Sequence, residues 1–305
     1  MRLRIALATA TFMTVVSAGA FAVPLVGVTG GSLIGFDSAT PGTVTSTLAV
    51  TGLGTNVIRG IDFRPSTGQL FALVQPNGST TSSLFTINTV SGAATSVGSI
   101  TSSSGIDFDI AFNPVVDRIR VVNADNSNLR VVPTTAATTT DTPLAYAAGD
   151  TNFGKDPTVT AAAYTNQNAG AQTSTMLFDI DAATSSLVLQ NPPNSGTLTT
   201  IGALGVTLFD NGVGTGQGFD IDGATGIAFA SLTTSTGGNS LYTINLGTGA
   251  ATLVGGFGQN TVQDIAVGSL GQGSGNGFAT VPEPASMALL AIGLGGVIAA
   301  RRRRA

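Results

Sequence analysis

The chain has 305 residues, only 9% of them charged, with 41 glycines, a formal net charge of −4, and no cysteine, histidine or tryptophan. Those absences exclude a disulfide framework, thiol or imidazole nucleophiles, and a structural zinc site of the usual ligand set. With the two ends set aside, residues 23–280 hold six basic residues (Arg59, Arg64, Arg118, Arg120, Arg130, Lys155) against 15 aspartates, a net charge of −9, and such an acidic body has no surface suited to a nucleic-acid phosphate backbone.

Residues 1–22 run from a basic start (Arg2, Arg4) through an apolar stretch, Ile5 to Val16, to small residues ending at Ala20-Phe21-Ala22. This three-part order predicts a signal peptide cleaved after Ala22, because the basic end stays inside, the apolar part enters the export channel and small side chains fit the peptidase. The absence of cysteine suits folding in an oxidising compartment, where a thiol can mispair.

The body that follows, residues 23–280, is internally repetitive. The segment Leu84 to Gly98 matches Leu241 to Gly255 at 10 of 15 positions, and weaker copies begin at Leu33, Leu129 and Leu177, giving spacings of 51, 45, 48 and 64 residues. Each copy alternates apolar and polar residues on either side of a polar turn, which is a hairpin pattern. In those turns Asn88, Asp181 and Asn245 are placed to accept a backbone N–H two residues on, and Gly92 and Gly249 to take a positive φ. A second pattern precedes four of the hairpins, at Gly60 to Leu73, Phe108 to Val122, Val159 to Tyr164 and Gly218 to Leu232. A fifth instance, Val262 to Val267, comes last with no hairpin after it, and its missing partner is the N-terminal hairpin at Leu33.

That offset is what a ring closed by both chain ends requires, since closure leaves no open sheet edge at the join. The expected fold is all-β, a β-propeller of five four-stranded blades. Six blades is the alternative, with the long interval between Leu177 and Leu241 holding a degenerate blade.

Aspartates recur in the first strands. Asp62 and Asp220 each lie six residues before a glycine (Gly68, Gly226), Asp264 occupies the like position, and Asp109 is two residues off that register, a shift that preserves the face. First strands line a propeller's channel, so Asp62, Asp109, Asp220 and Asp264 are the candidate ligand-binding and metal-ligating residues, with Ca²⁺ the cation such carboxylates would share. The competing account has each carboxylate satisfy local backbone N–H groups or pair with Arg59, Arg64 or Arg118. Three other stretches point more to loops than to sites. Asn123 to Asn128 alternates oxygen-bearing side chains without the bidentate glutamate of a calcium loop. Gly149 to Pro157 sets Lys155 beside Asp150 and Asp156, and Gly212 to Gly218 is glycine-rich but leads into a strand pattern, which a phosphate cradle does not.

The last segment, residues 281–305, reads Val281-Pro282-Glu283-Pro284, an apolar run from Ala285 to Ala300, then Arg301, Arg302, Arg303 and Arg304. As a helix the run spans about 24 Å, a short transmembrane anchor whose arginines hold the C-terminus inside. These residues resemble a PEP-CTERM sorting tail. The resemblance implies an exported bacterial protein, processed by an exosortase-type enzyme, at least transiently anchored in the inner membrane, and displayed at the surface or in a matrix with exopolysaccharide as a partner. The repeats resemble a bacterial family of domains of unknown function, secreted and propeller-like, through Gly60-Ile-Asp-Phe-Arg-Pro65 and Gly154-Lys-Asp-Pro157. That resemblance spans residues 28 to 268 and implies a fold but no activity.

No catalytic constellation assembles from these residues, so no catalytic residue and no obligatory cofactor is assigned. The expectation is a non-enzymatic binding or structural module associated with exopolysaccharide. The alternatives are a carboxylate-dependent glycan hydrolase or lyase and a purely structural coat protein.

Overall fold

A computed structural model of the chain describes residues 22–76, 78–101, 107–209, 217–236 and 238–271. Residues 1–21 of the expected signal peptide, the expected C-terminal transmembrane helix and sorting segment, and the glycines at 212, 214 and 216 lie outside the described residues. No helix among the described residues is long and apolar enough to cross a membrane.

The described chain forms five blades. Blade one takes β1 (Pro24–Thr29), β2 (Ser32–Asp37) and β3 (Val44–Ala49). Blade two is β4 (Asn56–Arg64), β5 (Gln69–Pro76), β6 (Thr81–Ile87) and β7 (Ala94–Thr101). Blade three is β8 (Phe108–Asn113), β9 (Arg118–Asn123), β10 (Asn128–Val131) and β11 (Thr138–Thr140). In blade four, β12 (Ala145–Tyr146) precedes β13 (Val159–Tyr164), β14 (Leu177–Asp181), β15 (Ser186–Gln190) and β16 (Thr197–Ala203). Blade five is β17 (Gly218–Ile221), β18 (Ala228–Thr233), β19 (Asn239–Ile244) and β20 (Ala251–Gly256), and β21 (Asp264–Val267) returns to blade one.

Closure joins the two ends of the body. β21 pairs antiparallel with β1, Leu25 opposite Val267 and Val28 opposite Asp264, so blade one has the order β21-β1-β2-β3. The C-terminal end contributes one strand and the N-terminal end three. Blade four departs from four strands, since the two-residue β12 adds in parallel outside β16.

The six-blade alternative fails on a register that the repeat pattern hides. Leu177 heads β14, the second strand of its blade, whereas Leu33, Leu84, Leu129 and Leu241 lie in third strands. Third strands begin at Ser32, Thr81, Asn128, Ser186 and Asn239, and on that count no interval is long enough to hold another blade.

Burial falls from the axis outward. β13 and β17 are buried along their whole length, while β3 and β20 are mostly exposed. Inner strands have neighbours on both faces and so read as runs of apolar and small residues, whereas outer strands are free to carry Ser and Thr. The core is five hydrophobic clusters, one at each junction between adjacent blades. Phe71 of blade two meets Phe112 of blade three edge to face at 5.1 Å, and Phe36 of blade one meets Phe257 after blade five at 5.4 Å.

The hairpin turns form as their residues predict. Asn88 Oδ1 accepts from Val90 N and Ser91 N at 2.9 Å each, Asn245 Oδ1 from Gly247 N at 2.9 Å, and Asp181 Oδ1 from Ala183 N at 3.1 Å. Gly92 and Gly249 sit at φ of 75° and 79°. A side chain at either would also strike the next blade, since a Cβ at Gly92 would lie 2.0 Å from the Ala49 carbonyl oxygen.

Candidate functional site

The four aspartates singled out in the sequence all lie on innermost strands: Asp62 on β4, Asp109 on β8, Asp220 on β17 and Asp264 on β21. All are buried, at 1 to 5% exposure. Each reaches sideways to a backbone amide in the next blade. Asp264 Oδ2 accepts from Ile61 N at 2.6 Å, Asp62 Oδ2 from Phe112 N at 2.6 Å, Asp109 Oδ2 from Ala162 N at 2.8 Å, and Asp220 Oδ2 from Val267 N at 2.6 Å. In Asp109, Asp220 and Asp264 the second oxygen accepts the amide of the following residue at 2.7 Å. The belt crosses four of the five junctions. At the fifth, from β13 to β17, the inner strand offers Ala161-Ala162-Ala163 where the others offer aspartate.

Glycines let these strands approach. A Cβ at Gly218 would lie 2.6 Å from the Cα and the Oδ1 of Asp264, and one at Gly60 would lie 3.1 Å from the Cα of Asp109.

The electrostatics follow from enclosure. Burial pushes Asp62, Asp109 and Asp264 well above the ordinary carboxylate range, and the charge of a second ring member adds to it: Asp220 for Asp62, Asp264 for Asp109, Asp220 for Asp264. Burial raises Asp220 to about 7 against the amides of Val267 and Ile221, which favour its ionised form. Gln167, from the connection between β13 and β14, donates to Asp62 Oδ2 at 3.3 Å, and Asn168 donates to the Gly223 carbonyl at 2.9 Å. The cavity left beside Asp62, Asp220 and Gln167 is about 10 Å³, roughly the room of one water. Among the described residues no group of three or more carboxylates is disposed to hold a metal ion. None of the hydrogen-bond partners described for the four aspartates is an arginine: Arg64 instead bonds Asp117 through Nε at 2.8 Å.

The other stretches are loops tied by their own polar groups. Asn123 Oδ1 accepts from Asp125 N and Ser127 N at 3.1 and 2.9 Å. Lys155 Nζ donates to Asn152 Oδ1 at 2.8 Å, while Asp150 bonds the Thr200 amide at 2.7 Å and Asp156 takes the Asn126 amide group at 2.7 Å.

A second assembly was not singled out from the sequence. Between blades three and four lies a cleft of about 430 Å³ whose lining includes Arg118, Arg120, Arg130, Tyr164, Pro193 and Asn194. Three of the body's six cations therefore face one opening in an acidic protein. Arg118 and Arg120 share a face of β9 by their spacing of two, and Arg130 of β10 lies directly across from Arg120. Asp141 bridges the opposed pair, accepting from Arg120 Nη1 at 2.9 Å and from Arg130 Nε and Nη2 at 2.7 and 2.9 Å. Burial works to raise Asp141, but the hydrogen bonds from Arg130 and Arg120 outweigh it and hold its pKa below the ordinary value.

Arg120 is 2% exposed, and its Nη2 donates to Asn194 Oδ1 at 2.8 Å, yet its Nε has no hydrogen-bond partner among the described residues. Asp179 of β14 is fully buried, and neither carboxyl oxygen has a partner among the described residues. Burial raises its pKa well above the ordinary value against the charge of Arg120. The sequence signal was the Arg-x-Arg alternation at 118 and 120, legible only once β9 and β10 are known to pair.

The family described as Domain of unknown function (DUF4394) matches residues 32–266, and the PEP-CTERM protein-sorting motif matches residues 280–304. No curated protein matches the chain. Among solved structures, a protein of unknown function from Bacteroides thetaiotaomicron aligns at 15% identity and a TM-score of 0.41, over 64% of this chain and 42% of its own, so the chain spans less than half of its length. The glutaminyl cyclase of Myxococcus xanthus aligns at 10% identity and 0.42, over 70% of this chain and 83% of its own. A chain of a nidogen/laminin complex aligns at 11% and 0.41, over 80% and 98%. At these scores the likenesses bear no functional argument.

Proposed function

The chain belongs to the DUF4394 family, and from that premise we propose that it is an exported, non-enzymatic propeller that binds polysaccharide at the cell surface or in the extracellular matrix. The PEP-CTERM motif is a sorting signal recognised by exosortase-type enzymes, and it implies export and association with the cell envelope. The observation that carries the reading is the union of that motif with a closed ring whose clustered carboxylates are taken up by blade-to-blade hydrogen bonds. Such a ring supplies a rigid frame and leaves binding to the clefts between blades. In this reading residues 285–300 anchor the chain in the inner membrane until processing, and residues 1–22 are removed on export.

A second reading, a glycan hydrolase or lyase using Asp62, Asp109, Asp220 and Asp264, is favoured by one observation. Asp220 stands near 7 beside three other raised carboxyls, a shift of the kind acid–base catalysis uses.

Calorimetric titration of the exported protein with its host's own exopolysaccharide, with and without Ca²⁺ and with a parallel assay for reducing ends, separates the readings. Saturable binding without new ends is expected. Release of ends that disappears in Asp62→Asn would establish the enzyme, and binding that requires Ca²⁺ would assign the ring as a cation site. Neither heat nor products would overturn both readings and leave a structural coat protein.

A further inference from the structure

We propose that the cleft between blades three and four is a binding site for a carboxylate-bearing sugar unit, a uronate residue of an acidic polysaccharide; this rests on the polysaccharide-binding reading above. The argument begins from charge. Placing Arg130 directly opposite Arg120 sets like charges together across two strands, which opposes pairing unless something neutralises them. Asp141 supplies one negative charge to the two, and Arg118 adds a third positive charge at the same opening. The lining therefore keeps a positive surplus inside a body of net charge −9, and that surplus calls for an anion from outside.

The second observation is which cations a ligand can reach. Arg120 is enclosed, with its Nη atoms bonded to Asn128, Asp141 and Asn194 and its Nε–H buried in the same interior as the carboxyl of Asp179, whereas Arg118 is exposed and Arg130 partly so. A planar carboxylate is the acceptor that a guanidinium fork matches best. The third observation is what surrounds the charge. About 430 Å³ accommodates a sugar ring or two. The exposed Pro192 and half-buried Pro193 offer apolar faces for a pyranose ring, and Asn113 of blade three and Asn194 of blade four bring amide groups to the lining. A bare inorganic anion would leave most of that lining unused.

The test titrates the full chain with trigalacturonate, with neutral maltotriose and with inorganic phosphate at low and high salt. The expected result is saturable binding of trigalacturonate alone, weakened by salt and reduced by about tenfold or more in both Arg118→Gln and Arg130→Gln. Arg118 is exposed and its described hydrogen bonds run only to backbone carbonyls, so Arg118→Gln is also expected to keep the wild-type melting temperature, which separates lost binding from lost folding. Equal binding of maltotriose, binding of phosphate without trigalacturonate, or full affinity in Arg118→Gln would each overturn the proposal. The two readings fail separately. Host exopolysaccharide bound equally by wild type and by both arginine variants sinks the cleft and keeps the binding module; trigalacturonate bound through the arginines while host polymer is ignored keeps the cleft and sinks the module.

Discussion

The axis and the cleft between blades three and four both gather like charges, and they dispose of them differently. At the axis four carboxyl groups are buried, raised in pKa and hydrogen-bonded to amides of the next blade, so their polarity is spent on closing the ring. In the cleft Arg120 and Arg130 share the Asp141 carboxylate, and the exposed Arg118 stands beside them with its described hydrogen bonds running only to backbone carbonyls. A cluster of one sign is therefore not a site in itself, and what distinguishes a site is the polar capacity that remains after the fold has taken its share.

The sharpest way to break this comparison is pH. Asp220 has a folded-state pKa of about 7 against an ordinary 3.8, so between those values the folded chain holds a proton that the unfolded chain has released, and stability falls as pH rises through the window. From pH 5 to pH 8 the loss from Asp220 alone is about 3 kcal/mol, and the other ring members act in the same direction. Asp117, Asp141 and Asp150, whose pKa values are lowered, lose their contribution only below that window. Melting curves across pH 5 to 8 should show the decline, and Asp220→Asn should flatten it. A decline erased by millimolar Ca²⁺ would reassign the ring to cation binding.

Removing one link of the belt is expected to have the next largest effect. Asp62→Ala strips the acceptor from the buried Phe112 amide and from Gln167 and should cost about 2 kcal/mol in urea unfolding at pH 5, whereas Asp62→Asn, which keeps an acceptor, should cost less than half of that. Equal costs would mean that charge, not hydrogen bonding, is what Asp62 supplies.

The glycines sharpen the same point on a smaller scale. Gly218→Ala presses a methyl against the backbone of β21 at 2.6 Å and should cost about 1–3 kcal/mol. Gly60→Ala, whose nearest atoms stand at 3.0 to 3.2 Å, should cost less. Arg118→Gln should fall within about 0.5 kcal/mol of wild type; a larger loss would place Arg118 with the ring, as a structural residue.

Much of the architecture was legible along the chain because it is carried by local chemistry. The Asn88 and Asn245 turns, the positive-φ glycines at 92 and 249, and the alternation on either side need only nearest neighbours to declare a hairpin. The ring closure was legible too, because Val262 to Val267 repeats a pattern whose partner stands at the other end. Leu177 misled because Leu177-Phe-Asp-Ile-Asp181 reads like Leu84-Phe-Thr-Ile-Asn88, although one leads from a second strand to a third and the other from a third to a fourth.

The sequence by itself determined the repeat, the turns, the order of the blades, the acidic body and the placing of Asp62, Asp109, Asp220 and Asp264 on innermost strands, since each depends on residues near one another or on a periodicity that survives without coordinates. Which groups remain available is settled by packing between blades. Whether an aspartate meets a ligand or the Phe112 amide 50 positions on, and whether Arg120 faces solvent or a cleft walled by Asn194, depends on how neighbouring blades pack, and hydrogen-bond satisfaction is a property of that packing rather than of any one strand.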